Sequence, residues 1–221
     1  MIKLAILDFD DTLCLTEEAC FYIENQIAVE MGHSPMSRDV HKKNWGKPLD
    51  VAIQERIPGV DQKEFMNRIG KAIEMNVKNG KMDSIPTHNY KALDLVKKSG
   101  KRLAVLTSRT FGEMRHLLEL KHPINDKIEK IYHKDNSKFI KPDPRAFDQI
   151  LHDFNVSPAE AVYIGDAVTD AIASKEAGLH FVAVLESGLR SKKEFEDKKV
   201  DFFAPTFVDA ISYVLNYKRI N

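Results

Sequence analysis

Cysteine is scarce in this chain, with Cys14 and Cys20 the only two in 221 residues. Their separation fits neither a CxxC redox pair nor a zinc knuckle, which leaves two reduced thiols with no framework role. An excess of one charge is also missing, because 33 basic side chains face 33 acidic ones. A neutral chain lacks the basic footprint that tracks a phosphate backbone or docks on an anionic membrane, so nucleic acid and lipid are not expected as partners. Long apolar runs are absent too. The early run Leu4 to Leu7 stops after four residues, whereas a membrane span needs about 20. With no such span and no signal-like segment, the expected location is cytoplasmic.

What is present is an ordinary globular composition, 43% hydrophobic and 30% charged, which excludes disorder. At about 150 residues per domain, the length allows one large domain or one domain carrying a smaller insert. Short branched or aromatic bursts alternate with helical patterns, the signature of an α/β fold with a mainly parallel sheet. The expected strands are Ile2 to Leu7, Arg102 to Leu106, Ala161 to Ile164, Phe181 to Leu185 and Asp201 to Ala204, with a weaker one at Lys130 to Tyr132. Helices are expected over Tyr90 to Lys98, Gly112 to Leu120, Arg145 to Phe154, Asp170 to Ala177 and Phe207 to Tyr217. Asp143 before Pro144 reads as an N-cap with proline at the first helical position, and Thr206 with Asp209 resembles a capping box.

Between Leu15 and Ser84 the rhythm changes to helical periodicity without a convincing strand. Helices are expected over Thr16 to Met31 and Asp61 to Asn79, each followed by glycine, with a less regular stretch at Asn44 to Leu49. The organisation read from this pattern is a sheet domain over 1–14 and 85–221, interrupted by a helical lobe over 15–84.

Four segments place chemistry at the C-terminal ends of expected strands, the edge where open parallel sheets bind ligands. The first strand runs into Asp8, Phe9, Asp10, Asp11 and Thr12. Alternate residues of extended chain share a face, so Asp8 and Asp10 project together, and leaving both ionised costs repulsion that a divalent cation would relieve. The next strand ends in Thr107 and Ser108. Lys141 precedes Pro142 in KPDP, a stiff turn, and AVYI runs into Gly165, Asp166, Ala167, Val168, Thr169 and Asp170. Taken singly, each segment has a bland reading as a turn or a helix cap; four together at one edge are not a set of independent turns.

With these residues in view, the sequence resembles the haloacid dehalogenase-like hydrolase superfamily, specifically its phosphoglycolate-phosphatase-like members with a helical cap. DFDDT resembles the first motif, Thr107 closing RLAVLT the second, Lys141 in KPDP the third and GDAVTD the fourth, in the family's order and across the whole chain. The resemblance implies a Rossmann-like parallel core with a cap inserted between the first two motifs. It also implies a Mg²⁺-dependent phosphatase that hydrolyses small phosphomonoesters through an aspartyl phosphate. On that basis Asp8 would be the nucleophile and Asp10 the general acid and base. Thr107, Ser108 and Lys141 would bind the phosphoryl group. The Mg²⁺ site would take Asp8, the backbone carbonyl of Asp10 and Asp166, with Asp170 as a further ligand or as the partner of Lys141. Thr12 would either support the loop by local hydrogen bonds or be a turn residue with no direct contact to substrate. Asp11 departs from the glycine many relatives carry there; aspartate tolerates unusual backbone angles better than most residues.

In the cap, WGKPL resembles the corresponding stretch of those relatives, and Lys47, with Trp45 and Arg56, would reach the substrate; the alternative is a core tryptophan and two solvated cations. The eight histidines show no HxxxH or HExxH spacing; most read as surface or loop residues and none is assigned to catalysis. A phosphosugar mutase of the same superfamily shares all four motifs and stays open. A dehalogenase or a phosphonate hydrolase would lack an acid two residues after the nucleophile, and a phosphoacceptor signalling domain would lack the insert. Monomer and homodimer both fit.

Overall fold

The structure is a computed structural model describing residues 1–45, 49–83, 85–119 and 121–217. It divides into two compact units, Met1–Cys14 with Ile85–Asn221, and Leu15–Ser84.

The larger unit is built on strands β1 (Leu4–Leu7), β2 (Arg102–Leu106), β3 (Lys130–Tyr132), β4 (Ala161–Gly165), β5 (His180–Val184) and β6 (Phe202–Ala204). All pair in parallel, in the order β3-β2-β1-β4-β5-β6. This is the α/β, Rossmann-like class. The chain starts at the middle of the sheet and winds outward in both directions, so β1 is flanked by β2 and β4, and the order switches at its C-terminal end.

Because side chains alternate across a strand, the sheet makes two separate cores. Ala5, Leu7, Leu103, Val105, Val162, Ile164, Val182 and Val184 meet helix α5 (Thr87–Lys98) and helix α9 (Phe207–Asn216) through Leu93, Val96, Phe207 and Ile211. On the other face Leu4, Ile6, Ala104, Leu106, Tyr163, Phe181 and Ala183 meet α7 (Asp148–Phe154) and α8 (Val168–Glu176) through Ile150, Phe154, Ala171 and Ala173. Near-continuous apolar runs such as LAIL are what a strand covered on both faces requires.

The ends of elements follow their local chemistry. Thr206 and Asp209 make the reciprocal capping box at the start of α9, and Asp143 caps the turn at Pro144–Phe147. That turn is 3₁₀ and only then becomes α7, so the helix expected from Arg145 is split. The helix expected over Gly112 to Leu120 is shorter still. Helix α6 covers only Phe111–Met114; beyond it the chain tightens into i→i+3 turns, with the Leu117 N–H donating to the Met114 carbonyl at 2.9 Å and the Leu118 N–H to the Arg115 carbonyl at 3.1 Å.

The smaller unit packs α1 (Thr16–Glu30), α2 (Arg38–Asn44), α3 (Leu49–Arg56) and α4 (Gln62–Lys78) around Ile23, Ile27, Ile53, Ile57, Phe65 and Ile69. Helices α2 and α3 bracket the stretch read as irregular and carry polar residues inward: His41, Asn44 and Arg56 are buried. Arg56 donates to Glu24 at 2.7 and 2.9 Å and to the carbonyl of Asn44. It is therefore neither a solvated cation nor one free to reach a ligand, which corrects both readings of it. His41 is fully buried with Nδ1 2.6 Å from Glu17, so it is not a surface histidine. Its ring lies 5.2 Å from that of Trp45. Lys47 lies outside the described residues.

Candidate active site

The C-terminal ends of β1, β2 and β4 bring the chemistry together. The Asp8 N–H donates to the Ile164 carbonyl at 2.8 Å and the Thr107 N–H to the Tyr132 carbonyl at 3.0 Å, so both residues extend their ladders one step past the strands. Beyond Asp8 the chain doubles back, with the N–H groups of Leu13 and Cys14 both donating to the Phe9 carbonyl. Asp11, at φ 54°, takes the left-handed turn this requires. Aspartate adopts that region more readily than most residues, which is why it stands where glycine would otherwise be needed. Thr12 is buried, but its hydroxyl finds no hydrogen-bond partner among the described residues. The expectation of local hydrogen bonds from it is corrected.

Asp8, Asp166 and Asp170 each offer a carboxylate oxygen, and these oxygens all lie within 4.8 Å of one another in a buried position. Lys141 joins them, its ammonium 3.0 Å from Asp8, 2.8 Å from Asp170 and 2.6 Å from the Tyr163 hydroxyl. The Tyr163 hydroxyl in turn donates to the Leu106 carbonyl at 3.1 Å. Gly165 keeps this cluster tight: a Cβ there would fall 2.3 Å from Asp170 Oδ2.

Burial, the largest influence, drives the Asp8 carboxyl up to about 7, with Asp170 and Asp10 adding repulsion and Lys141 opposing. Asp166 is likewise pushed well above the carboxylate range by burial, then by the charges of Asp170, Asp8 and Asp11. Lys141 goes the other way. Burial disfavours its charge, but Asp170 and Asp8 outweigh it and hold the ammonium well above its ordinary value. One cation among three buried carboxylates is not enough to keep them all ionised. A hard divalent ion fits this donor set of close oxygens, and Mg²⁺ is such an ion.

Asp10 stands apart from the triad. Its two oxygens accept from Arg109, Nη2 at 2.6 Å to Oδ1 and Nε at 3.0 Å to Oδ2. Its side chain is therefore not part of the acidic cluster, and only its backbone carbonyl is left to a metal reading. Thr107 is buried, with its hydroxyl accepting from the Arg109 N–H at 3.2 Å, and Ser108 is exposed beside it. Sequence reasoning missed two members of this group. Arg109 follows Thr107 by two positions, and Tyr163 lies inside an apolar strand where its ring reads as core; neither has a motif signal of its own.

Comparison with known proteins defines the class. The sequence profile described as "Haloacid dehalogenase-like hydrolase" matches residues 5–184. The chain is 22% identical over 219 residues to a phosphoglycolate phosphatase of Nitrosospira multiformis, covering 96% of each. It is 24% identical to a phosphorylated carbohydrates phosphatase of Thermotoga maritima, covering 80% of this chain and 82% of that one. Among solved structures, a HAD-superfamily hydrolase of subfamily IA, variant 1, from Geobacter sulfurreducens superposes with a TM-score of 0.73 at 21% identity, covering 96% of both chains. The chain belongs to the haloacid dehalogenase-like hydrolase family. Within it, the chain is similar to phosphoglycolate-phosphatase-like members.

Proposed function

We propose that this protein is a Mg²⁺-dependent phosphatase of small, soluble phosphomonoesters and that the reaction runs through an aspartyl phosphate on Asp8. The observation that carries this reading is the buried Asp8, Asp166 and Asp170 triad with Lys141 bonded to two of its members. Phosphoryl transfer needs positioning and neutralisation of charge more than elaborate covalent chemistry, and this cluster is built for both.

Asp8, Asp166 and the backbone carbonyl of Asp10 would hold Mg²⁺, with Asp170 close by. When bound, the ion neutralises charge on the phosphoryl oxygens and keeps Asp8 ionised. Asp8 attacks phosphorus, the ester oxygen leaves, and water then cleaves the acyl phosphate, regenerating the carboxylate. Asp10 gives the departing alkoxide its proton and takes one from the hydrolytic water. Lys141 places its ammonium against Asp8, fixing the nucleophile and countering the equatorial oxygens, while Thr107 and Ser108 offer hydroxyl donors at the same strand end. The helical unit over 15–84, inserted between the first and second of these segments, is the family's cap, with Lys47 as its candidate substrate contact. A phosphosugar mutase would share the same triad and would differ in passing the phosphoryl group to a second sugar hydroxyl.

A panel of phosphate esters assayed with Mg²⁺, with a chelator, and with Asp8→Asn tests the reading. Phosphate release is expected to need the metal and to fall by about three orders of magnitude or more in the variant. Undiminished turnover in Asp8→Asn would reject Asp8 as nucleophile, and transfer to hexose phosphate in place of water would move the protein to the mutases.

A further inference from the structure

Asp11 is the acid of the first strand-end loop that the reaction above leaves without a task. It is 2% exposed and stands next to Asp10, whose carbonyl is assigned to the cation. A buried carboxylate is costly unless something positive answers it. The setting is already crowded, because Asp8, Asp166 and Asp170 lie together beside the Lys141 ammonium. The charge of Asp11 reaches this group. It opposes the ionisation of Asp166, after burial and the charges of Asp170 and Asp8, and does so more strongly than Lys141 favours it.

The turn does not explain that charge. Asp11 sits at φ 54°, a region that glycine enters freely and that asparagine tolerates as well as aspartate does. The shape of the loop is held by its main chain. There the Asp11 N–H donates to the Cys14 carbonyl at 2.6 Å, and the N–H groups of Leu13 and Cys14 donate to that of Phe9 at 3.0 Å. Either neutral residue would therefore keep the turn and spare the site a fourth negative charge. What a neutral residue could not do is hold a cation by its charge. Mg²⁺ keeps several of its waters when it binds protein carboxylates, and groups outside the direct ligands set much of its affinity.

We propose that Asp11 is a further residue of the cation site, one that holds Mg²⁺ from outside its direct ligands by charge and by accepting from the ion's waters. The inference rests on the Mg²⁺ site of the phosphatase reading and adds to it a determinant of metal affinity. In this part Asp11 carries no proton of the reaction; it is a positioning residue for the ion. Its contribution changes sign as the site fills. Without metal it adds to the repulsion among the acids, and with metal it adds to the attraction that holds them together.

Thermal unfolding of the whole chain across a series of MgCl₂ concentrations, from chelator to high millimolar, tests this without any turnover. The wild type is expected to gain stability as the ion binds, and the concentration at which the gain sets in marks its affinity. In Asp11→Asn, which keeps the shape and the turn and loses the charge, that concentration is expected to rise about 10-fold or more. Asp11→Gly differs in shape and in backbone freedom and shares only the lost charge, and it is expected to show the same rise. Because each protein is compared with its own metal-free melting temperature, a change in folding alone does not imitate the effect. An onset unmoved in Asp11→Asn, or a rise in Asp11→Gly that Asp11→Asn does not share, would overturn the inference while leaving the phosphatase reading in place. A wild type that Mg²⁺ does not stabilise at any concentration would remove the cation from that reading and this inference with it.

Discussion

At the scale of single residues, the site is a problem of charge held in too little water. Three carboxylates and one ammonium are buried within contact distance, and Lys141 is kept in place by a neutral neighbour as well as by its charges. Tyr163 is that neighbour. Its hydroxyl receives the Lys141 ammonium and donates to the carbonyl just before Thr107, so one side chain ties the β2 end to the lysine. Tyr163→Phe keeps the ring, which packs edge-on against Phe147 at 5.0 Å, and removes only these bonds. Unfolding free energy is expected to drop by about 1–2 kcal/mol. The kcat should fall about tenfold with KM little changed, since the loss is in orienting Lys141 and Asp8 and not in binding. Steady-state kinetics beside denaturant unfolding would check it; a change in KM alone would show that Tyr163 does not position the reacting groups. Asp8, Asp10, Thr107, Lys141 and Asp166 were nameable from sequence because motif order and strand-end placement coincide. Arg109 and Tyr163 were not, because their partners Asp10 and Lys141 are far away along the chain, and no spacing rule reaches that far.

At the scale of elements, the strands read well and the short helices did not. A strand buried on both faces leaves an apolar burst that any permutation of neighbours preserves, whereas α2 and α3 turn His41, Asn44 and Arg56 inward, the reverse of an amphipathic stripe. Those polar faces make sense only against Glu17 and Glu24 of α1. The turn from β4 into α8 shows how an element end sets a site. Gly165 ends the strand, the Ala167 N–H donates to Asp170 Oδ2 at 3.1 Å, and the space above Gly165 belongs to that carboxylate. In Gly165→Ala the new methyl would lie 2.3 Å from Asp170 Oδ2 and 2.8 Å from its Cγ. Asp170 must move, and Lys141 with it. The expected result is an intact sheet by circular dichroism with Mg²⁺ activation of turnover shifted to about tenfold higher metal or more. An unchanged metal dependence would mean that Asp170 has no bearing on the cation.

At the scale of the whole molecule, the two units carry different pH sensitivities. In the helical unit burial works against a charged His41, but the Glu17 hydrogen bond and the Glu24 carboxylate 3.4 Å from Nε2 outweigh it despite Arg56, and its pKa lies above the ordinary 6.5. Arg38, 2.6 Å from Glu17, completes the group facing it. A pKa raised on folding stabilises fully below the unfolded value and is lost as pH rises through the folded one. Thermal unfolding of wild type and His41→Gln should therefore differ most on the acid side of 6.5 and converge as the solution is made alkaline. A gap that widened with pH would show that the imidazole is buried neutral. The class of fold, the strands themselves and the acid-bearing strand ends were already written in the chain, because burial on two faces and the chemistry of turns act over a few residues. Which polar groups meet was settled only by folding. Arg109 on Asp10, Lys141 between Asp8 and Asp170, and His41 between two glutamates are pairings of charges brought out of water together, and their energies depend on distances that exist only once the sheet and the helices are packed.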